Sequence, residues 1–496
     1  MNISVNKQYA IRNEKNCSFI CSRSKLIDER IPKSTLIFQI PPIYGYIISS
    51  FQRNDYNSTI TQLAKQLNIN EITIQNFVNK IIENPTFLEI NLEIGKIKFP
   101  PYLLIGEKSI AKEDNSKSNI FTSTDFDPFL KYIPHRPSIP FFLNLMITTK
   151  CYTNCIYCYA DRTRRDDLEL DELLKLIDNA HEIGLIELTI TGGDVFAYKN
   201  WKYVFEKIYN CGYHPFISTK IPLKEEDIIF LKKQGIRQIQ FSIDSLIFSE
   251  LNKITGVNEE YLIDFEKMLF YTEKHDIKMN IRSVLTKYNS NIDSLLFTFN
   301  KLNNFTHIES WILTPAYYST FKEQYMTYKT SENELKNILS FLKSLKSYFP
   351  IFYNTIESKL SNYYKKFDTV EDFVKNNKAC PANGYGMSIL SNGKATVCEM
   401  LYYNPYCLIG DIKNDRIENI WNSPKANKLL QLSQEDLLHK EGNPCYTCTS
   451  FDNCKSKMLK KTCLVDVVKA YGEDKYDYPD PRCPNAPSFD VNKIMY

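Results

Sequence analysis

Strand-like and helical segments alternate six times between residues 142 and 347, and this alternation constrains the fold more than any other feature of the chain. The predicted strands are Phe142–Thr148, Ile186–Thr191, Pro215–Thr219, Ile236–Ile243, Ile277–Leu285 and Ile308–Leu313, and the predicted helices are Leu168–Ile183, Trp201–Asn210, Lys224–Gln234, Glu259–Lys274, Ile292–Leu302 and Ser331–Ser347. Such repeated units predict a parallel sheet with crossover helices, closed into a barrel or part of one. In these folds ligands bind at the carboxyl ends of the strands.

A loop with three cysteines directly follows the first of these strands. Cys151, Cys155 and Cys158 stand in the pattern CxxxCxxC, so the loop falls on the predicted ligand-binding face. Cysteine thiolates are the usual ligands of iron–sulfur clusters, and three of them can hold three irons of a 4Fe–4S cube. The fourth iron is then open to a small molecule. A zinc loop is the alternative, although zinc sites more often combine two CxxC pairs.

The composition is that of a soluble globular protein. The 496 residues are 43% hydrophobic and 24% charged, and a chain of this length is expected to form about two to four domains. The net charge of +3 argues against a broad surface for nucleic acid. The polar N-terminus lacks the apolar core of a signal peptide, and no apolar run reaches the about 20 residues that span a bilayer. We therefore predict a cytoplasmic protein without a membrane partner.

The fourteen cysteines are unevenly distributed. Besides the three in the loop, eight lie between residues 380 and 483, and only Cys17, Cys21 and Cys211 lie elsewhere. Because a reducing cytosol disfavours disulfides, such bunching predicts metal clusters. Cys17 and Cys21 lie four residues apart on one face of a predicted strand, and we interpret them as buried small hydrophobes.

Residues 1–105 are predicted to form a winged helix-turn-helix domain. A first helix runs from about Thr59 to Leu67 with Ser58 as its N-cap, and Asn70 caps a second helix. Phe87–Ile90 and Lys96–Phe99 follow as a hairpin, which completes the outline of this fold.

The charges of the second helix argue against DNA binding. It carries Glu71 and Glu83 against Lys80, whereas contact with phosphates requires Lys and Arg. The other use of such a fold is to bind a peptide as an added strand. The polar segment 106–140 that follows is interpreted as a linker or covering segment.

The cysteine loop and the residues after the second strand resemble the radical S-adenosylmethionine (radical SAM) enzymes. The shared features are the CxxxCxxC loop, an aromatic residue (Tyr157) before its third cysteine, and a double glycine followed by Asp194. The resemblance implies a partial (β/α)6 barrel over residues 141–348. It also implies that the open iron of the cluster chelates S-adenosylmethionine, which electron transfer cleaves to a 5′-deoxyadenosyl radical.

The same resemblance implies further contacts with S-adenosylmethionine. Gly192, Gly193 and Asp194 match the motif that contacts the methionine amino group, although its third position is commonly Glu. The other positions that match cofactor-contacting residues of the family are Tyr157, Ser218, Ser242, Asp244 and Arg282. A strand-end hydrogen bond is the alternative role for each lone polar residue.

The C-terminal cysteines resemble the seven-cysteine SPASM domain, which binds two auxiliary 4Fe–4S clusters. This domain is expected at residues 380–496, after a connector at 349–379. The family's interleaved pattern assigns Cys380, Cys398 and Cys463 to the first auxiliary cluster and Cys445, Cys448, Cys454 and Cys483 to the second. Eight residues precede Cys463 where the family usually has three. Either Cys407 supplies the missing fourth ligand of the first cluster, or that iron is open to substrate; a zinc ribbon on Cys445 and Cys448 is the alternative.

Together these features resemble the maturases of ribosomally made peptides. Glu399 directly follows Cys398, where sulfatase-maturing relatives carry a carboxylate that accepts a proton from the substrate. The prediction is an enzyme that binds the leader of a precursor peptide and installs a cross-link, with a thioether favoured over a carbon–carbon bond. A flavodoxin or ferredoxin would donate electrons. The alternatives are a maturase that forms formylglycine in sulfatases, and a non-catalytic iron–sulfur protein that binds peptide or DNA.

Overall fold

The chain folds into two compact units of mixed α and β structure. The computed structural model describes residues 2–494 except 24–27, 32–35, 94, 107–118, 162–165, 320, 322–323, 361–365, 403 and 458. The first unit comprises residues 1–141 and 182–187, and the second comprises residues 142–181 and 188–496.

Within its described residues, the first unit combines two small sheets, a hairpin and three helices. Its strands are β1 (Asn2–Val5), β2 (Tyr9–Glu14), β3 (Cys17–Ser22), β4 (Ile37–Ile40), β5 (Gln52–Asp55), β6 (Leu88–Leu92), β7 (Gly95–Phe99), β8 (Leu104–Gly106) and β9 (Ile120–Thr122), and its helices are α1 (Pro42–Ser49), α2 (Tyr56–Leu67) and α3 (Glu71–Ile81). The sheets have the orders β4-β3-β2-β9 and β5-β1-β8, and β6 pairs with β7 as a hairpin. Cys17 and Cys21 on β3 are fully buried, as predicted.

Helices α2 and α3 follow each other across a short turn and precede the hairpin, which is the order that the winged helix-turn-helix prediction requires. Asn70 caps α3 by accepting a hydrogen bond from the Ile72 amide at 2.8 Å, as predicted. The predicted cap of α2 is wrong. Asp55 is the N-cap and accepts from the amide of Ser58 at 3.1 Å, so that Ser58 lies inside the first turn.

The segment predicted as a linker partly belongs to the fold of the first unit. Strand β9 pairs in parallel with β2, and the Ser138 amide donates to the buried carboxylate of Glu14 at 3.0 Å. These contacts fit the covering interpretation for residues 119–140, whereas residues 107–118 lie outside the described part of the chain. The strand was missed because three residues are too few to show an alternating pattern.

The second unit contains the strand–helix alternation. Its strands are β10 (Phe142–Thr148), β11 (Glu187–Gly192), β12 (Ser218–Thr219), β13 (Gln238–Ser242), β14 (Lys278–Leu285), β15 (Ile308–Pro315), β16 (Ile351–Phe352), β17 (Gly386–Ile389), β18 (Lys394–Thr396) and β19 (Leu408–Asp411). Its helices up to residue 344 are α4 (Leu170–Glu182), α5 (Trp201–Asn210), α6 (Glu225–Lys233), α7 (Phe248–Thr255), α8 (Glu260–Lys274), α9 (Ile292–Leu302), α10 (Tyr325–Tyr328) and α11 (Glu332–Ser344). The later helices are α12 (Asn354–Leu360), α13 (Val370–Asn376), α14 (Ile417–Trp421), α15 (Pro424–Leu430), α16 (Phe451–Lys455) and α17 (Leu464–Tyr471).

The predicted strands are divided between two sheets. Strands β12 to β16 form one parallel sheet in chain order, whereas β11 and β10 continue into β17, β18 and β19. Strand β17 lies parallel to β10, with Phe142 opposite Gly386. A side chain at Gly386 would lie 2.7 Å from the Phe142 carbonyl oxygen, so glycine is needed for this close approach. The strand that leads into the cysteine loop is therefore paired with a strand from the cysteine-rich C-terminal region.

Most predicted helices agree with the structure, and the bounds of α5 and α9 are as predicted. Helix α7 was missed because its eight residues follow β13 closely and have the polar composition of a loop. In the part of the chain that the structure describes, no helix combines the length and apolar character that crossing a membrane requires.

Candidate active site and cluster centres

The cysteine loop begins directly after β10 and is organised around one threonine. The hydroxyl of Thr153 lies 3.4 Å from the sulfur of Cys151 and 3.3 Å from that of Cys155. Cys155 is 6% exposed. Burial raises the pKa of the Cys155 thiol to about 11, while Lys220 lowers it and Asp244 and Cys158 raise it. A buried thiol of this kind loses its proton when it binds a metal, which agrees with an iron ligand.

The end of α7 holds the cysteine loop. The last carbonyls of a helix have no partner within the helix. In α7 the carbonyls of Thr255 and Ile254 accept from the amides of Asn154 and Ile156, at 2.7 and 2.9 Å. On the other side of the loop, the Ser319 hydroxyl donates to the carbonyl of Cys158 at 2.7 Å. The loop is thus held by hydrogen bonds on both sides.

The double glycine allows β11 to approach the cysteine loop. The amide of Gly193 donates to the Thr148 carbonyl, and the amide of Asp194 donates to the Lys150 carbonyl, both at 2.8 Å. A side chain at Gly192 would lie 2.5 Å from the Thr148 oxygen, and one at Gly193 would lie 2.2 Å from the Lys150 oxygen. Such distances are far below van der Waals contact, so no larger residue fits without moving the backbone.

We expect Gly193→Ala to displace the cysteine loop. Overpacking of this kind typically costs about 1–3 kcal/mol, and thermal unfolding together with iron content after reconstitution would measure the effect. Gly212→Ala is the matched control because the added methyl group would meet no atom within 4 Å, so only the strain of its positive φ is tested. Equal iron content in the two variants would contradict the role given to Gly193.

Asp194 uses its carboxylate to join β11 to the residues after β12. It accepts from the Thr219 hydroxyl at 2.9 and 2.8 Å and from the Lys220 amide at 2.7 Å, and it caps the next turn through the Phe196 amide at 3.1 Å. Burial raises the pKa of Asp194 to about 6, although these hydrogen bonds oppose the shift. The predicted contact of this residue with S-adenosylmethionine stays a prediction, and in the structure its carboxylate binds the protein itself.

Tyr157 and Asp244 lie together, beside a residue that the sequence did not indicate. The Tyr157 hydroxyl and the Lys220 ammonium both donate to Oδ2 of Asp244, at 2.7 and 2.9 Å. Oδ1 accepts from the Val284 amide at 2.9 Å. Lys220 follows the third predicted strand as an ordinary lysine, and nothing in the sequence distinguishes it from a solvent-exposed one.

The remaining predicted contact residues lie on neighbouring strands. Ser242 and Arg282 are opposite each other in the pairing of β13 with β14. Among the described residues, the guanidinium of Arg282 forms no ion pair, which leaves it available for a carboxylate. The hydroxyl of Ser218 accepts from the Gln240 side chain at 2.7 Å. The structure therefore brings Ser242 and Arg282 together, whereas Ser218 is exposed and already hydrogen-bonded.

Four of the C-terminal cysteines converge on one small cavity. It is lined by Cys445, Cys448, Cys454 and Cys483, with Phe373, Phe451 and Asp480 among the residues around them. Burial raises the pKa of Cys445 to about 12, Lys455 lowers it, and the charges of the other three cysteines raise it. This grouping agrees with the set predicted for the second auxiliary cluster, which itself stays a prediction.

The cysteines predicted for the first auxiliary cluster are also close to one another. Burial raises the pKa of Cys398 to about 12, and the charge of Cys380 raises it further. Burial and the charge of Asp466 raise the pKa of the Cys463 thiol, and the charge of Cys380 raises it further. Burial also raises the pKa of Cys407 to about 12, with the charge of Cys398 as the next cause. Cys407 is fully buried beside this group, so both alternatives for the fourth ligand stay open.

Among the described residues, no group of three or more His, Cys, Asp or Glu side chains lies close enough together to hold a single metal ion.

Glu399 is held by a residue on the strand that leads into the cysteine loop. Its Oε2 accepts from the side-chain amide of Asn144 on β10, and the Thr189 hydroxyl donates to the amide oxygen of Asn144 at 3.1 Å. Burial raises the pKa of Glu399, and the hydrogen bond from Asn144 lowers it. Asn144 was missed because it stands inside an apolar strand with no polar neighbour in the sequence.

Family models match both cysteine-rich parts of the second unit. The model of the radical SAM superfamily matches residues 145–262, and the model of the SPASM iron–sulfur cluster-binding domain matches residues 380–449. The chain carries a radical SAM domain and a SPASM domain. The radical SAM domain implies S-adenosylmethionine and a 4Fe–4S cluster, and the SPASM domain implies auxiliary clusters. The SPASM match ends before Cys454, Cys463 and Cys483, which the structure nevertheless places beside the matched cysteines.

Curated relatives match the radical SAM domain. The GTP 3′,8-cyclase of Desulforamulus reducens is 30% identical over 153 residues, which are 29% of this chain and 46% of the relative. The GTP 3′,8-cyclase of Hydrogenovibrio crunogenus is 30% identical over 146 residues, which are 28% of this chain and 42% of the relative. The chain thus matches less than half the length of these relatives.

Solved structures resemble the whole chain. SuiB of Streptococcus suis, in a crystal structure bound to the precursor peptide SuiA, covers 97% of this chain and 100% of its own, with a TM-score of 0.59 and 14% identity. SuiB bound to S-adenosylmethionine has a TM-score of 0.56, also at 14% identity and 97% of this chain. At this identity the likeness establishes the shared fold.

Proposed function

We propose that this protein is a radical SAM peptide maturase that installs an oxidative cross-link, with a thioether favoured, in a ribosomally made precursor peptide. The observation that carries the proposal is the likeness along 97% of the chain to the fold of SuiB, which was crystallised with its precursor peptide. The N-terminal unit is included in that likeness. A sulfatase-type maturase would not need such a unit. DNA binding is disfavoured because α3 carries only Glu71 and Lys80 and so has no excess of positive charge, while Glu83, which the sequence assigned to this helix, lies beyond its end at Ile81.

We assign the cofactors to residues that follow β10 and lie on β13 and β14. Cys151, Cys155 and Cys158 would bind the 4Fe–4S cluster, and Arg282 with its neighbour Ser242 would bind S-adenosylmethionine. When bound, the cluster and S-adenosylmethionine would supply the chemistry that abstracts a hydrogen atom from a carbon of the peptide. The chain itself shields the site, because Cys155 and Asp244 are both buried and the Tyr157 hydroxyl joins the cysteine loop to Asp244 by a hydrogen bond.

The aromatic residues beside the cysteine loop suit a peptide substrate. Ala316, Tyr325 and Tyr328 form a buried cluster against which Ile156, Tyr157, Val284, Tyr288 and Tyr318 pack. The hydroxyls of Tyr157 and Tyr328 already donate to Asp244 and to the Tyr317 carbonyl. The half-buried Tyr288 and Tyr318 combine apolar area with a hydroxyl that can bond a peptide group. These uncharged side chains would position the residue of the peptide that is modified.

Glu399 would accept the proton that the substrate loses as the new bond forms. Burial favours its protonated form, and the amide of Asn144 fixes the carboxylate. We expect Glu399→Gln to reduce formation of cross-linked peptide by about 10²-fold or more, the range of a general base, while cleavage of S-adenosylmethionine continues. Mass spectrometry of the peptide and quantification of 5′-deoxyadenosine measure the two rates.

Glu418→Gln is the matched control for the Glu399 variant. Glu418 also accepts from an asparagine amide, that of Asn179 at 3.1 Å, but lies on α14 and is given no part in the chemistry. Unchanged product formation in Glu399→Gln, or an equal loss in both variants, would contradict the role of Glu399.

The proposed function is tested by anaerobic co-expression with a peptide from a short reading frame beside the gene. The mass of the peptide should fall by that of two hydrogen atoms, and fragmentation should locate the bond. Peptide that stays unmodified while the enzyme cleaves S-adenosylmethionine would contradict the choice of substrate. A formylglycine product would support the sulfatase-type alternative.

A further inference from the structure

A buried ion pair lies beside the cysteine loop. The side chain of Lys220 is 14% exposed and that of Asp244 is 0% exposed, and they form a salt bridge of 2.9 Å. The ammonium also donates to the Ser242 carbonyl at 3.3 Å and lies 5.8 Å from the centre of the Tyr157 ring. Since Tyr157 immediately precedes Cys158, the ammonium belongs to the environment of the cysteine loop.

The backbone of Lys220 is fixed from two sides. Its amide donates to Asp194 at 2.7 Å, and its carbonyl accepts from the Tyr261 hydroxyl at 2.6 Å. The Tyr261 ring stacks on Tyr152 of the cysteine loop, with centroids 6.2 Å apart. These two bonds fix the backbone of Lys220, and the bonds to Asp244 and the Ser242 carbonyl hold its ammonium.

The groups around the ammonium are mostly acidic. Asp244 faces it directly, and Asp194 binds its backbone. Burial lowers the pKa of Lys220, but the charges of Asp244, Cys155 and Cys151 together raise it above its ordinary value. Burying two charges costs several kcal/mol for each ion, and two apolar side chains in the same positions would destabilise the fold less. The structure nonetheless retains a cation next to the residues that would hold the cluster.

We propose that Lys220 is a positioning residue that makes the cluster at the cysteine loop easier to reduce, with Asp244 holding its charge in place. A reduced cluster carries one more negative charge than an oxidised one, so a fixed cation beside it stabilises the reduced form. Hydrogen bonds, net charge and burial are the means by which a protein sets this potential. The inference rests on the cluster of the proposed function and needs no peptide.

The test is a redox titration of the reconstituted protein, in which an external reductant supplies each electron. The EPR signal of the reduced cluster measures the reduced fraction at each potential. In Lys220→Met the ratio of reduced to oxidised cluster at a fixed potential should fall about ten-fold, which is 59 mV for one electron. Asp244→Asn removes the opposing charge and should raise the ratio by a similar factor. Lys220→Arg keeps the charge and should stay near wild type.

Opposite shifts in the two single variants distinguish charge from structural damage. A merely structural role would change both variants in the same direction, since each breaks the same salt bridge. The double variant Lys220→Met/Asp244→Asn should return to within about a factor of two of wild type, because the two charge effects cancel. Equal potentials in wild type and Lys220→Met would overturn the proposal. If Lys220→Met fails to hold iron, the proposal is decided by whether the ratio of reduced to oxidised cluster rises in Asp244→Asn.

Failure of this inference can be separated from failure of the proposed function. If the wild-type protein holds no reducible cluster in addition to the auxiliary ones, the proposed function fails. If it holds the cluster but Asp244→Asn does not raise its reduced fraction, only the role of Lys220 fails. The affinity for S-adenosylmethionine provides a further check, since a large loss in Lys220→Met at an unchanged potential would make Lys220 a ligand of the substrate instead.

Discussion

Cys155→Ala is expected to abolish the cleavage of S-adenosylmethionine. The Cys155 sulfur is buried and lies beside the hydroxyl of Thr153, which also contacts Cys151, so no water or other side chain can readily replace it. Two remaining thiolates would not retain a cluster that three cysteines hold. Iron should fall from roughly twelve to roughly eight atoms per chain, counting four for each cluster. Iron analysis and 5′-deoxyadenosine formation under strong reductant measure both effects.

Cys211→Ala is the control for this variant. Cys211 is also buried, at 7% exposure, but it ends α5 and lies outside all the cysteine groups described above. It should keep both iron and activity. Retained cleavage in Cys155→Ala, or iron near twelve, would contradict the assignment of the loop.

Cys448→Ala is expected to abolish the cross-link while sparing the cleavage of S-adenosylmethionine. Cys448 lines the cavity shared with Cys445, Cys454 and Cys483. It is only half-buried, so its replacement should perturb the fold less than that of Cys445. Without the second auxiliary cluster the electron released as the bond forms has no acceptor, and product formation should fall by about 10²-fold or more, while iron falls to roughly eight.

The outcome for Cys448→Ala also distinguishes the metal at this cavity. Zinc analysis of the wild-type protein should find well under one atom per chain. If the wild-type protein holds only about four iron atoms and about one zinc atom, the assignment of auxiliary clusters is wrong. A zinc ribbon on Cys445 and Cys448 would then be the correct assignment. Full cross-linking by Cys448→Ala would show that the second cluster is not needed as an electron acceptor.

The local pattern of the sequence was sufficient for several features of this protein. Hydrophobic periodicity defined α5 and α9 to the residue, because each is an amphipathic helix bounded by polar caps. The spacing of Cys151, Cys155 and Cys158 predicted a cluster loop at a strand end. The double glycine was matched to a motif that contacts the cofactor, and the structure adds that it packs against the carbonyls of Thr148 and Lys150, a close approach that was not predicted.

Tertiary structure decided which distant residues meet. The pairing of β10 with β17 joins residues more than two hundred positions apart, and no local pattern encodes a partner at that distance. Asn144 and Glu399 are likewise 255 positions apart, and Tyr157 and Asp244 are 87 positions apart, so local patterns encode neither contact. The short strand β9 and the helix α7 were missed because short elements depend on their neighbours more than on propensity.

The sequence by itself thus determined the chemistry that the cysteine loop can support, since ligand type and spacing are local properties. Only the tertiary structure decided the electrostatic surroundings of that loop. Lys220 is an ordinary residue in the sequence, and its charge gains importance because folding removes it from water and places it against Asp244 and Tyr157. Electrostatic interactions strengthen as the local dielectric falls, and burial is a property of the whole fold.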